Sequence, residues 1–381
     1  MSPRQLLFYS QWPLGYHNPE AERKALGFAR AGHEVVYVAG LGIRNPGPSS
    51  LRKLVDRGWR KLRHSFVSPP PRGSAPLRTA ALAVAPPRQV AAVRELNSRW
   101  LERQLRGALD WEEAVAWVRW PTPELVDALR RLRPAAIVYE CVDAYEHTPG
   151  IVGVWREVFR RAEEALVDAA SVVVVPSSAL AERFRTLGAE VRLVRHGVDP
   201  ERFPWREPRR SDGTATIGFV GTLDYRVDVA VLRRVAEARP RWRLRLIGPV
   251  QRGFDPAALA DLPNVTVEPP VVPDRLGSTV ATFDAGIMPY VPSPVYTYMC
   301  PVKNLELLAA GKPAVARPNP ELERYRRHLY LAETPDGFLG QLDRALSEDS
   351  VERARERRAV AEANSWATRL AELRRIVEDP R

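Results

Sequence analysis

Residues 300–316 read CPVKNLELLAAGKPAVA. Lys303, Leu307 and Ala310 fall on one side of a helix, with Glu306 between them at helical spacing. Gly311 should end that helix, because glycine takes the left-handed cap cheaply and Pro313 cannot continue the turn. Residues 313–316 then predict a short buried strand. This order brings a carboxylate and an ammonium to the top of a helix facing the carboxyl ends of a sheet, where open α/β sheets bind ligands. Glu306 can accept from two neighbouring sugar hydroxyls, and Lys303 can neutralise a phosphate.

Outward from this stretch the chain alternates strand and helix. Toward the amino end, 284–288 reads as a buried strand. Residues 216–220 form another, followed by Gly221-Thr222-Leu223 and a helix over 227–238. A strand, a glycine turn and a helix amino terminus make an anion site, since unbonded N–H groups point at the ligand. Arg226 is the nearest cation. The first half has the same rhythm, with strands at 6–10, 35–39, 114–118, 136–140 and 172–175, a weak strand at 77–85, and helices between them. β-α-β order implies parallel sheets.

The chain has 381 residues, more than one core usually holds, so two domains are expected. The polar, proline-containing run before residue 214 places a linker at 197–213. It separates a first domain, 1–196, from a second, 214–364, with a final helix over 365–381. A hydrophobic fraction of 45% fits a globular protein, and no run reaches the length needed to span a bilayer. The two cysteines, Cys141 and Cys300, lack metal-ligand spacing, and the N-terminal apolar run is too short for a signal peptide. A reduced, cytoplasmic protein is expected. The net charge of +11 favours anionic partners.

Residues 51–66 are the most unusual part of the first half. Leu51, Leu54, Val55, Trp59, Leu62 and Phe66 recur at helical spacing, and six basic residues fill the other positions against Asp56 alone. Such a helix suits an anionic membrane surface on the inner face of the membrane, or packs on the core with a solvated outer side. After the strand at 136–140 come Glu140, Asp143, Glu146 and His147. An acidic residue there can orient an acceptor or act as a base, and Asp143 can equally cap a helix. Gly15 follows the first strand and reads as readily as a turn glycine.

The organising stretch resembles the P-x-K-x-x-E-x-L-A-A-G-K-P segment of nucleotide-sugar glycosyltransferases of the GT-B fold, closest to the branch of teichuronic-acid and other exopolysaccharide transferases. The resemblance covers residues 172–316 well and the first half loosely. It implies two Rossmann-like domains whose parallel sheets face a central cleft. It also implies that Glu306 holds the donor ribose. Lys303, Arg226, Gly221 and Thr222 then frame the diphosphate, with Val250 beside the base and Thr297 leading into the helix. Residues 242–249, WRLRLIGP, resemble the family's next strand and its Gly-Pro end. The run 172–203 resembles a segment of retaining enzymes, except that His196 stands where asparagine is usual. Tyr298 occupies the position of an acidic residue in broader relatives. In the first domain the resemblance places the acceptor around Gly15, His17 and His147, with Asp143, Glu140 and His17 as catalytic candidates.

These readings predict a glycosyltransferase that works without metal or resident cofactor, since no D-x-D pair lies in a suitable loop and cations can stabilise the departing diphosphate. Its co-substrate is a nucleoside-diphosphate sugar and its acceptor a glycan, lipid-linked or small molecule, with the anomeric configuration retained. A nucleotide-sugar epimerase of the same fold needs a second carboxylate near the sugar, and Glu306 stands alone. A non-catalytic GT-B-like partner is a third reading. A nucleic-acid binder needs basic and aromatic residues clustered together, which the sequence lacks.

Overall fold

A computed structural model describes residues 4–14, 19–40, 77–86, 88, 90–147, 153–205, 207–208 and 213–380. The chain forms two compact units. The first comprises Met1–Pro176, Leu180–Val194 and Leu370–Arg381, the second Ser177–Ala179 and Arg195–Arg369.

The first unit is built on β1 (Gln5–Ser10), β2 (Glu34–Ala39), β3 (Leu77–Ala81), β4 (Val115–Val118), β5 (Ala136–Glu140), β6 (Val172–Val175) and β7 (Val191–Leu193). They form one sheet in the order β3-β2-β1-β4-β5-β6-β7, every pair parallel. Strand order reverses between β1 and β4, so their carboxyl ends flank a switch point. Helices α1 (Pro19–Arg30), α2 (Ala91–Leu105), α3 (Pro123–Leu132), α4 (Val154–Ala169) and α5 (Ser178–Thr186) connect the strands. LLFY of β1, VAWV of β4 and VVVV of β6 are buried throughout, as strands covered on both faces must be. Leu373, Ile376 and Val377 of the last helix complete this core.

β3 stops at Ala81, short of the predicted 85. Beyond it, Gln104 of α2 bonds both the N–H and the C=O of Ala83, each at 3.1 Å. Asn97 does the same for Ala85, at 2.7 and 2.8 Å. Side-chain amides thus stand in for a neighbouring strand and satisfy the backbone at the sheet edge.

The second unit holds β8 (Thr216–Val220), β9 (Arg243–Ile247), β10 (Val265–Glu268), β11 (Ala285–Met288), β12 (Ala314–Ala316) and β13 (Tyr330–Leu331). Their order is β10-β9-β8-β11-β12-β13, again all parallel. Its helices are α6 (Val229–Ala238), α7 (Pro273–Val280), α8 (Pro294–Tyr298), α9 (Lys303–Ala309), α10 (Pro320–Glu323), α11 (Pro335–Ser347) and α12 (Val351–Ala363), and the last helix, α13 (Trp366–Glu378), passes into the first unit at Leu370. The main segment of the second unit runs from Arg195, ahead of the expected start at 214. Val198 and Phe203, two apolar residues within the expected linker, are buried in its core. Val198 exchanges backbone bonds with Asn364 and Trp366. Gly197 permits this approach, since a Cβ there would stand 2.9 Å from the Trp366 backbone.

Candidate active site

Helix α9 forms where 300–316 predicts it. Gly311 has φ +71°, its N–H bonds Leu308 O at 2.9 Å, and the Lys312 N–H bonds Leu307 O at 2.9 Å. This paired closure is what a glycine just past a helix end provides. Asn304, Leu305, Leu307, Leu308 and Ala309 are buried, which leaves Lys303 and Glu306 as the partly exposed positions of the helix. Gly286 of β11 lets the helix lie this close to the sheet, because a Cβ there would meet a Leu307 methyl at 2.4 Å. Lys312, the second lysine of the stretch, is buried near Asp349, away from this face.

Lys303 extends across the Gly221 turn after β8. A Cβ on Gly221, whose φ is +153°, would stand 2.2 Å from the lysine Cε and 2.7 Å from Nζ. Gly248 must also be bare, since its Cβ would fall 1.9 Å from Gly221 O. The Tyr290 phenol oxygen interacts with the Lys303 ammonium, and the Glu306 carboxylate adds to it. Together they raise the lysine pKa against burial and the repulsion of Arg226. Lys303, Glu306, Tyr290 and Arg226 therefore share one field, at the carboxyl ends of β8 and β11 where strand order reverses.

In the loop after β8, the Gly221 N–H donates to Ile247 O (2.9 Å) and the Leu223 N–H to Pro249 O (3.0 Å). Thr222, between them, makes no hydrogen bond with the described residues, so its N–H and hydroxyl are left for a ligand. Arg226 is clamped by Asp224, whose buried carboxylate accepts from Nε at 3.0 and 3.1 Å and from Nη2 at 2.7 Å. This pairing raises the arginine pKa despite burial.

The expected anion site at the amino end of α6 is occupied from within. The helix starts at Val229, and Asp228 accepts from the N–H groups of Ala230 (3.1 Å) and Val231 (3.3 Å). Asp228 in turn accepts from Arg317 at 2.7 Å, and Arg317 also donates to the carbonyls of Tyr290 and Glu333. A buried arginine thus ties together the loops after β11, β12 and β13.

Val250 bridges Leu223 and is 46% exposed. Tyr225, 39% exposed, packs against Gly253 nearby, so two apolar side chains stand open beside the turn. Thr297 is exposed, with its hydroxyl donating to Ser293 O at 3.2 Å. The Tyr298 carbonyl accepts from Ser177 Oγ at 2.6 Å. Below α8, Glu321 is buried and accepts from Ser178 N, Ser178 Oγ and Arg195 Nε, each at 2.6 Å.

In the first unit, Glu140 does not fit a catalytic role. Its carboxylate is 1% exposed and accepts from Lys24 Nζ and, at 2.6 Å, from Trp117 Nε1. Arg119 Nε lies 3.0 Å away, and Glu20 sits against both cations. Burial would raise the Glu140 pKa, but Arg119 and Lys24 outweigh it and hold the group ionised. A carboxylate so enclosed joins α1 to the ends of β4 and β5. Asp143 is partly exposed, and its Oδ1 accepts from the Ala144 N–H at 2.9 Å. His147 ends a short 3-10 turn, with Nε2 3.6 Å from Glu146. Gly15, His17 and residues 51–66 lie outside the described residues.

Sequence reasoning missed Asp224 and Tyr290, which orient the two cations, and also missed a recess after β4. That recess encloses about 330 Å3, counting the solvent at its mouth, and is lined by Trp120, Trp155, Phe159, Arg88 and Arg94 among others. Its floor holds a buried bidentate pair, Arg88 to Glu124, with both bonds 2.7 Å long. It lies just past the carboxyl end of β4, at the switch point of the first sheet. Only the local spacing of WVRWPTPE marked it, and aromatic residues at a strand end more often fill a core.

A family described as glycosyl transferase-like matches residues 226–375, which run from Arg226 through α9 into the last helix. Solved structures share the whole architecture. HepE of Anabaena, seen with UDP and glucose, superimposes with a TM-score of 0.65 at 13% identity over 99% of this chain and 100% of that one. WaaG, a glycosyltransferase of lipopolysaccharide biosynthesis, gives 0.64 at 14% identity, over 98% and 99%. These structures give the chain the GT-B fold, and the family that matches residues 226–375 is one of glycosyltransferases. At the sequence level it is similar to TuaH of Bacillus subtilis (strain 168), provisionally assigned as a glycosyltransferase of teichuronic acid biosynthesis. The two are 26% identical over 278 residues, 67% of this chain and 69% of TuaH.

Proposed function

We propose that the protein transfers a sugar from a nucleoside-diphosphate sugar, with retention of configuration and without a metal ion, to a glycan or lipid-linked acceptor in polysaccharide or glycoconjugate synthesis. The observation that carries this reading is the pair Lys303 and Glu306, partly exposed on an otherwise buried helix, with the lysine laid over Gly221. Glu306 accepts from the ribose hydroxyls. Lys303 and the Asp224-oriented Arg226 neutralise the charge that grows on the departing diphosphate, and the Thr222 N–H adds a donor. Val250 and Tyr225 flank the base. UDP is the first nucleotide to try, because HepE binds it.

The acceptor belongs to the first unit, near His17, Gly15 and His147, with the aromatic recess at the β1/β4 switch point offering a face for a sugar ring. Asp143 is the catalytic candidate that the described residues leave accessible. Residues 51–66, as a basic amphipathic helix, would hold the protein peripherally on the inner face of the membrane.

A thermal-shift panel of UDP, GDP, ADP, TDP and CDP tests the donor end. One nucleotide at 100 times its Kd should add roughly 2.7 kcal/mol of stability. Glu306→Ala should abolish that shift. Five flat curves on folded protein would remove the donor reading. Incubation with the matching nucleotide sugar then separates transfer, which releases the nucleotide, from epimerisation, which does not.

A further inference from the structure

Tyr290 follows β11 and is 4% exposed. Two backbone bonds strap its loop to the loop after β8. The Val291 N–H donates to Arg226 O and the Asp228 N–H to Pro289 O, both at 2.7 Å. Tyr290 itself bridges Val227, which brings it beside Arg226. Its ring meets Phe219 edge-on, with centroids 6.1 Å apart, and lies 5.3 Å from the ring of Tyr296. The tip of Phe219 and the Lys303 ammonium converge over Gly221, where a Cβ would stand 3.5 Å from Phe219 Cζ and 2.7 Å from Lys303 Nζ. The phenol oxygen bonds that ammonium and lies in the field of Arg226.

A buried tyrosine hydroxyl normally places its proton on a partner. Tyr37, Tyr139, Tyr296, Tyr325 and Tyr330 donate theirs to an oxygen, and Tyr9 shares its own with Thr122. Tyr290 differs. Lysine and arginine carry donors and no acceptor, so toward Lys303 and Arg226 its oxygen can only accept. Among the described residues no oxygen takes its proton, and the nearby Asp224 carboxylate is spent on Arg226. An ammonium, a guanidinium and a hydroxyl thus present donors in one place. A ligand rich in anionic oxygens is the complement of such a set.

We infer, on the donor-site reading above, that Tyr290 is itself a donor to the diphosphate: its hydroxyl bonds a phosphate oxygen while its own oxygen accepts from Lys303. Hydrogen bonds linked in a chain reinforce one another, so the ammonium strengthens the hydroxyl as a donor. The diphosphate is the group whose charge grows as the sugar departs. A hydroxyl already fixed by the packing of its ring meets that charge without rearrangement. Tyr290 keeps its proton throughout. Its part therefore goes beyond orienting Lys303.

The test is calorimetric titration with UDP and with uridine, or with the diphosphate and nucleoside that the melting panel selects. Wild type, Tyr290→Phe, Lys303→Met and the double variant are compared, with ligand-observed NMR for millimolar affinities. Phenylalanine keeps the ring between Phe219 and Tyr296, so the unliganded melting temperature and the uridine affinity should stay as in wild type. Tyr290→Phe should weaken UDP about tenfold or more, the scale of a hydrogen bond to a charged group. In the Lys303→Met background it should weaken UDP roughly tenfold again, because the hydroxyl touches the ligand in its own right. Silence of Tyr290→Phe in that background would show that the phenol only orients the ammonium, and overturns the inference. An equal loss for uridine overturns it as well. Tight UDP binding that Tyr290→Phe leaves untouched refutes the role of Tyr290 and spares the donor reading, whereas a wild type that binds none of the five nucleotides removes both.

Discussion

Substituting alanine for Gly221 tests whether Lys303 works from the position the structure gives it. The new Cβ would stand 2.2 Å from Lys303 Cε and 2.7 Å from Nζ, where ordinary contact begins near 3.4 Å. The lysine can swing aside, so the clash becomes a displacement of the end of the side chain, ammonium included. Backbone strain is added, because φ +153° is a conformation that side chains disfavour, at about 1–3 kcal/mol. If the ammonium contributes a charge-assisted bond to the diphosphate, losing it costs about 1.5–3 kcal/mol, or roughly 10- to 150-fold in Kd. Titration calorimetry with UDP and with uridine distinguishes that loss from general damage. Gly221→Ala should weaken UDP within this range and leave uridine within about threefold. Lys303→Met should do the same, and the double variant should bind UDP no worse than Lys303→Met alone, because both changes remove one interaction. Fully additive losses, or an equal loss for uridine, would refute the assignment of Lys303 to the diphosphate.

Glu140→Gln should destabilise the first unit by about 3–5 kcal/mol in denaturant titrations at pH 7, since it leaves buried Lys24 and Arg119 short of a counter-charge. The Glu140 pKa is lowered in the fold, so its stabilisation is complete above the ordinary value of 4.5 and fades as pH falls through the folded value. The gap between wild type and variant should therefore close in acid. Gly286→Val should push Leu307, and α9 with it, off β11, costing about 1–3 kcal/mol and weakening UDP by calorimetry. Asn97→Ala should strip two bonds from Ala85 at the sheet edge, for about 1–3 kcal/mol, with loss of amide-exchange protection at Ala85.

The helix that carries Lys303 and Glu306 was legible because its pattern is local. Lys303, Glu306 and Gly311 sit within nine residues, and helical spacing with a glycine stop defines which face they share. Arg226 was found by nearness to a turn, but its clamp by Asp224 depends on side-chain geometry. The supposed anion site at the start of α6 failed for a related reason. DYRVDV contains its own capping carboxylate, and Asp228 reaches the N–H groups first. Glu140 looked reactive as an acidic residue at a strand end, yet Lys24, Trp117 and Arg119 reach it from 116, 23 and 21 positions away.

The sequence by itself determined the β-α alternation, the two-unit plan, and the lysine–glutamate pair of α9. Each rests on periodicity or on glycine and proline stops that act within one or two turns of chain. The tertiary structure alone decided which carboxylates are spent in buried ion pairs and which are open. It also decided where the second unit begins, and that α2 turns Asn97 inward and Leu96 outward. Those outcomes depend on partners brought together from distant positions, where burial multiplies the cost of an unpaired charge and chain spacing carries no signal.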